Sequence, residues 1–257
     1  MSRFGWPESE TLVPVCGRFA SGRDPDDLAV LFGSIRSGEA VSPSWNIAPT
    51  DPVQIVLERA DRTDPRAAPV RQLRPARWGL VPFWSTDSRG AARRINARVE
   101  TAAERPAFRR AFRARRCLLP ADGYYEWQRT PAGGKTPHFL RPRDRGVLAF
   151  AGLYELWCDP TLPPADPTAW LWTTTILTTA AIPRLAHLHD RMPVTVAPAR
   201  YAAWLDPGLT DPAAVRGLLT ATRPDLLAAY PVDAAVGNVA NNGPQLTDPA
   251  WTPASGR

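Results

Sequence analysis

Short runs of β-branched and aromatic residues, each cut off by proline or glycine, recur along this chain without alternating regularly with helix-like segments. The clearest are Val53 to Leu57, Cys117 to Leu119, Tyr124 to Trp127, Val147 to Tyr154, Trp170 to Thr178 and Val194 to Val196. Such residues suit a pleated sheet, and Pro and Gly supply its turns. A doubly wound parallel sheet needs a helix between successive strands, so the order argues against it and for an α+β chain, a single domain with an antiparallel core and peripheral helices. Three helix starts are written locally. Asp24-Pro25-Asp26 opens one through Leu31, Thr101 with Glu104 forms a capping box for one through Arg110, and Asp211-Pro212 opens another. The Pro/Gly stretches at 130 to 137 and 158 to 168 read as hairpin or surface loops.

Of the 257 residues, 44% are hydrophobic and 22% charged, which is globular composition. No run approaches the ~20 apolar residues that span a bilayer. The first fifteen residues carry two glutamates and two prolines where a signal peptide has an apolar core, so the expected place is the cytoplasm and the expected partners exclude membrane. Three cysteines without a CxxC pair point away from a disulfide framework and from zinc. The expected division is a leader at 1–15, a domain at 16–245 and a tail at 246–257.

Charge is unevenly placed. Residues 89 to 116 hold arginines at 89, 93, 94, 98, 105, 109, 110, 113, 115 and 116 against Glu100 and Glu104, a local +8 in a chain whose total is +6. Lys135 is the only lysine, and the arginine fork suits phosphate better than an ammonium does. The stripe reads either as a nucleic-acid footprint or as a solvated basic helix.

Few residues carry chemistry. Histidine occurs only at 138, 187 and 189. His189, in His189-Asp190-Arg191-Met192-Pro193, follows a helix-like stretch and precedes a strand, a junction where functional groups are displayed, though a structural histidine fits as well. Glu126, between aromatics in Gly123-Tyr124-Tyr125-Glu126-Trp127, lies in an apolar strand where burial raises a carboxyl pKa and suits it to acid–base work; pairing with a stripe arginine is the alternative. Asn96, in Ile95-Asn96-Ala97-Arg98, supplies neutral donors and an acceptor beside a cation. Cys117 and Cys158, in apolar runs, read as small buried hydrophobes.

Cys16 is more telling. A GTG codon reads as valine inside a message and as methionine at its start, so translation from Val15 makes Cys16 the amino terminus once the initiator is removed. An N-terminal cysteine is a 1,2-aminothiol whose amine, with a reference pKa of about 7.7 to 8.0, is partly neutral at physiological pH. It condenses with an aldehyde to an imine and closes to a thiazolidine. Both steps are barred to an internal cysteine.

Seven motifs occur in order: Cys16-Gly17-Arg18-Phe19, Asn46-Ile47-Ala48-Pro49-Thr50, Trp78-Gly79-Leu80-Val81-Pro82-Phe83-Trp84, Asn96-Ala97-Arg98-Val99-Glu100-Thr101, Arg116-Cys117-Leu118-Leu119-Pro120 leading to the Glu126 run, Phe150-Ala151-Gly152-Leu153-Tyr154, and the His189 run. Together, from Cys16 to Pro231, they resemble the SOS response-associated peptidase (SRAP) family, sensors of abasic sites in single-stranded DNA. Family members begin at methionine followed directly by the cysteine, so the fifteen-residue leader is the departure.

The resemblance implies a barrel-like antiparallel core, single-stranded DNA with an abasic site as partner, nucleoid association when bound, a monomer, and neither cofactor nor metal. Cys16 is then the nucleophile through amine and sulfur, forming a DNA–protein crosslink. Glu126 shuttles protons, His189 is general acid at the sugar oxygen, and Asn96 orients the aldehyde or amine. Arg18, Arg98, Arg191 and Thr178 are expected to contact phosphate, with Asn46 also in the DNA-binding set. Trp78, Pro82 and Trp84 are expected to form an apolar wedge or stacking surface, core packing being the alternative for the tryptophans. Two other functions compete. A cysteine peptidase with Cys16, His189 and Glu126 tolerates residues before its cysteine and includes self-removal of the leader. A noncovalent single-strand binding module leaves Cys16, Asn96, Glu126 and His189 without a role.

Overall fold

The structure, a computed structural model, describes residues 16–59, 64, 67–131, 133–219 and 226–250. The expected leader lies outside these residues. In chain order the first strands and helix are β1 (Phe19–Ser21), α1 (Pro25–Phe32), β2 (Ile35–Arg36), β3 (Ser44–Ile47), β4 (Pro52–Arg59), β5 (Val70–Trp78) and β6 (Asn96–Arg98). There follow α2 (Arg109–Ala114), β7 (Arg116–Ala121), β8 (Gly123–Arg129), β9 (Lys135–Pro142), β10 (Leu148–Cys158) and β11 (Trp170–Ala180). The chain continues through β12 (Arg191–Pro193), α3 (Tyr201–Leu205), α4 (Pro212–Gly217) and β13 (Leu227–Pro231).

The core is a closed barrel. β5, β4, β7, β10 and β11 pair in that order, each antiparallel to the next. β11 then runs parallel to the end of β5, with Thr173 opposite Arg77 and Thr174 opposite Trp78, and the ring is complete. Closure removes the unpaired edges that a five-stranded sheet would otherwise expose. Gly79 extends the seam by donating its N–H to the Thr174 carbonyl at 2.8 Å. Its φ of +133° is a glycine conformation, and a Cβ there would lie 2.7 Å from the Ala91 carbonyl oxygen.

Alternation along each strand sorts the side chains into two cores. Ile55, Leu57, Trp78, Cys117, Leu119, Phe150 and Ile176 fill the barrel. Val56, Leu73, Leu118, Leu153 and Leu177 face outward and are covered by Leu28 and Phe32 of α1, Phe112 of α2, Trp204 of α3 and Val215 of α4. The short helices therefore line the outside of the barrel. A second antiparallel sheet, in the order β13-β9-β8-β1-β3, carries the N-terminal segment.

Local signals are met in part. α1 has Asp24 as N-cap, accepting from Asp26 N at 2.8 Å, and ends on Gly33 in the left-handed region. α4 begins behind Asp211, which accepts from Ala214 N. The expected helix from Thr101 through Arg110 does not form: residues 101–108 make turns and α2 starts at Arg109. Pro106 has no N–H to give and its ring crowds the carbonyl of Ala102. The stretch before His189 is likewise a run of turns at 183–188. The strand expected at Val194 to Val196 lies at Arg191–Pro193, and Thr195 makes only an isolated bridge to Phe150. Leu246 is buried in the core and Pro249 bridges Val232, so packing continues beyond residue 245.

Candidate active site and nucleic-acid interface

β1 and β8 pair with Phe19 opposite Tyr124, which brings the segment just before β1 over the face of β8 that carries Tyr124 and Glu126. Cys16 is there. Its backbone N donates to Glu126 Oε1 at 2.8 Å, and its φ of +45° is an uncommon conformation for a residue with a side chain. Cys16 is fully enclosed and shares a core with Ile95, Tyr124, Leu188 and Met192. These neighbours lie within three residues of Asn96, Glu126 or His189 in sequence, so one apolar shell holds the segments of the expected catalytic residues together.

Enclosure sets the electrostatics. Burial pushes the Glu126 carboxyl up to about 8; the Cys16 N–H opposes this and Asp190 adds to it. Burial, then the adjacent Glu126, drives the Cys16 thiol well above its ordinary value. The Tyr124 phenol is raised too, by burial and then by Cys16 and Glu126. A protonated thiol and a carboxyl that titrates near neutrality therefore face one backbone nitrogen.

β11 organises the rest. Val99 N donates to the Thr178 carbonyl, and Val194 N to that of Leu177. Carbonyls of adjacent strand residues point to opposite edges, so the β6 and β12 segments flank β11. β6 supplies Asn96, opposite Ile176, and β12 begins two residues after His189. His189 Nδ1 lies 3.1 Å from Arg191 N and 2.7 Å from Asp190 Oδ1. The two contacts belong to two protonation states. Protonated, Nδ1 donates to Asp190; unprotonated, it accepts from the Arg191 amide. The ring thus has a partner in either state.

Several expected DNA contacts are internal. Trp78 is fully buried, edge-on to Phe19 at 5.0 Å, with Nε1 donating to the Ile95 carbonyl at 2.9 Å, so it belongs to the barrel interior and not to a stacking surface. Pro82 is buried as well. Asn46 donates from Nδ2 to the carbonyls of Val236, Asn238 and Asn241 and accepts from Arg18 Nη1 at 2.7 Å, which makes it a latch for the C-terminal segment. Arg18, half-buried, also holds the Val236 carbonyl and lies over the Trp127 ring. Thr178 is buried, with its carbonyl and hydroxyl turned toward Arg191. Arg191 grips both oxygens of Glu100 at 3.0 and 2.8 Å.

Trp84 and Arg98 are on the surface, Trp84 at 53% exposure. They border an open groove of about 450 Å³ with Arg93, Arg94, Asn96 and Arg105. Phe83, 50% exposed beneath the Arg110 guanidinium at 4.3 Å, is an aromatic the sequence reading passed over; its signal was adjacency to Trp84. Two stripe arginines are structural rather than solvated: Arg115 pairs with buried Glu155, and Arg116 donates to the carbonyls of Phe112, Arg113, Trp204 and Asp206. Among the described residues no cluster of His, Cys, Asp or Glu is arranged to hold a metal, and no helix is long and apolar enough to cross a membrane.

The chain resembles characterised and solved proteins over most of its length. It is 35% identical over 237 residues to abasic site processing protein YoqW of Bacillus subtilis (strain 168), covering 91% of this chain and 99% of that one. Over 241 residues it is 29% identical to abasic site processing protein YedK of Escherichia coli (strain K12), covering 91% and 100%. An X-ray crystal structure of a Bacteroides thetaiotaomicron protein superposes with a TM-score of 0.76 at 21% identity, covering 92% of this chain and 100% of that one, which shows a shared fold. The sequence model described as SOS response associated peptidase (SRAP) matches residues 15–239, and with that match and the identity to YoqW the chain belongs to the SRAP family.

Proposed function

We propose that this protein processes abasic sites in single-stranded DNA by capturing the ring-opened sugar aldehyde on Cys16. The observation that carries the reading is the Glu126 carboxyl, enclosed, 2.8 Å from the Cys16 nitrogen and titrating at about 8. A free Cys16 amine has a reference pKa of about 7.7 to 8.0, so a proton moves between the two groups at little cost. The amine adds to the aldehyde carbon and water leaves, giving an imine. The Cys16 sulfur then adds to the same carbon, its proton passes to the nitrogen, and a thiazolidine closes. Because burial keeps the thiol protonated, the order is amine first and sulfur second. His189, with a partner for its ring in both protonation states, suits the transfer of a proton to the sugar oxygen. The groove of Trp84, Arg98 and the neighbouring arginines suits a strand with exposed bases.

A general peptidase fits less well. Such an enzyme lowers its thiol pKa, whereas here it is raised, and Glu126 addresses the nitrogen rather than the sulfur. The same contact favours a restricted cleavage. The Val15 acyl group moves from the Cys16 nitrogen to the sulfur to give a thioester, the thiol proton is relayed through Glu126 to the departing nitrogen, and water then hydrolyses the thioester to release the leader. The amine required for capture is then free.

The test uses protein beginning at Cys16 and a single strand bearing one abasic site. A heat-stable adduct is expected on a denaturing gel, and none with intact DNA. Cys16→Ser keeps the amine, and so retains imine formation and strand cleavage, but loses the ring. Equal heat-stable adduct from Cys16→Ser refutes the thiazolidine.

A further inference from the structure

We propose that Glu100 is a positioning residue for His189, acting through Arg191; the proposal rests on the reading of the site given above. Glu100 lies two residues past β6, and its carboxylate receives both terminal nitrogens of Arg191, Nη1 on Oε1 and Nη2 on Oε2. Nη2 also donates to the Thr178 carbonyl at 2.6 Å, the carbonyl that accepts Val99 N–H. Burial, the largest single influence, works to raise the Glu100 carboxyl, but the Arg191 hydrogen bond, the Glu100 backbone N–H and the charges of Arg191 and Arg98 together outweigh it and hold the group below its ordinary value. A bidentate pair fixes orientation as well as distance.

Arg191 serves twice. Its side chain is locked by Glu100 and Thr178, while its backbone N–H is the donor to His189 Nδ1 at 3.1 Å. The connection therefore runs from the β6 strand of Asn96, across β11, to the imidazole. A neutral His189 that accepts at Nδ1 carries its proton on Nε2, the form with a proton to give. Without Glu100 the guanidinium loses its bidentate partner, the segment at 189–191 loses its anchor, and the exposed Asp190 carboxylate, already 2.7 Å from Nδ1, competes with a less firmly held Arg191 N–H.

Opposite effects on binding and chemistry follow. With the chain that begins at Cys16, Glu100→Ala removes a negative charge next to Arg98 and Thr101, which line the proposed strand groove. Noncovalent affinity for intact single-stranded DNA rises, and the salt dependence steepens by about 0.7 in log–log slope. The rate of adduct formation at saturating abasic DNA falls by at least about tenfold, because the proton donor is misaligned. Glu100→Gln keeps an oxygen for Arg191 and should recover part of the rate. The ¹⁵N shifts of the His189 imidazole without DNA should report a larger share of the Nε2–H tautomer in the wild type than in Glu100→Ala. Unchanged tautomer and unchanged saturating rate overturn the proposal, and so does a parallel fall in rate, affinity and melting temperature, which marks a merely structural pair. If the wild type forms no adduct, the capture reaction is what fails, and the imidazole shifts still decide the role of Glu100.

Discussion

Replacing Glu126 with glutamine separates its proton from its shape. The amide keeps an oxygen for the Cys16 N–H and adds no volume, so only ionisation is lost. Glu126 titrates at about 8 in the folded protein against an ordinary 4.5. A carboxyl raised on folding binds its proton more tightly in the native state, so its contribution to stability is full below about 4.5 and is lost as the pH climbs through about 8. Integrated between about pH 5 and pH 9, that loss is about 4 kcal/mol, an upper figure because water entering around a charged Glu126 lessens it. Near pH 5 the variant and the wild type should unfold within about 1 kcal/mol of one another, since neutral acid and amide are alike. Near pH 9 the variant should be the more stable by several kcal/mol. Urea unfolding at both values, compared as a double difference, cancels the titrating groups that Glu126 does not influence. The same substitution should slow adduct formation by about 10² to 10⁴ at every pH. A wild type and variant whose unfolding curves keep the same separation from acid to base would refute the buried, proton-exchanging carboxyl.

Trp78→Phe should cost about 1 to 3 kcal/mol in unfolding and leave DNA binding unchanged, because it removes one of the two donors to the Ile95 carbonyl and leaves a space in the packed barrel. Trp84→Ala should leave the melting temperature within a degree or two and weaken single-strand binding by about 1 to 3 kcal/mol, read by titration. Arg98→Ala should lower affinity for all sequences and flatten the salt slope by about 0.7; an unchanged slope would make it structural. Arg116→Ala should do the reverse, leaving the slope alone and costing about 3 kcal/mol or more in stability, since four carbonyls each lose a donor, and only that of Asp206 keeps a further one, from Leu209 N, among the loop contacts of the described residues.

What the sequence discloses is what lies close together in it. The Asp24-Pro25 and Asp211-Pro212 helix starts are complete within a few residues, and both helices begin there. The Thr101 box is equally local but is overridden by one proline five residues on. β5 escapes a pattern search because Arg71, Arg74 and Arg77 interrupt its apolar positions and Pro75 lies within it, between the residues that pair with β2 and those that pair with β11. β9 hides behind Pro137 and Pro142 for the same reason. Trp78 and Trp84 share one motif, and nothing local says that the first ends a barrel strand while the second lies beyond it. The meeting of Cys16 with Glu126 spans 110 positions, which no spacing rule reaches; family resemblance brought those residues together before geometry did.

The parallel seam that closes the barrel governs when the site comes into being. It joins strands roughly a hundred residues apart, and such a closure is slow compared with the local hairpins on either side. Cys16 leaves the ribosome first, whereas β11 and His189 follow only after most of the chain. At about 5 to 20 residues per second the interval is roughly ten to thirty seconds. On the proposed reading, an uncapped aminothiol meets every small aldehyde in its surroundings through that time with no pocket to choose among them, and a ring formed then occupies the nitrogen. An acyl group left on Cys16 until the seam has closed is, in the synthetic chemist's sense, a protecting group.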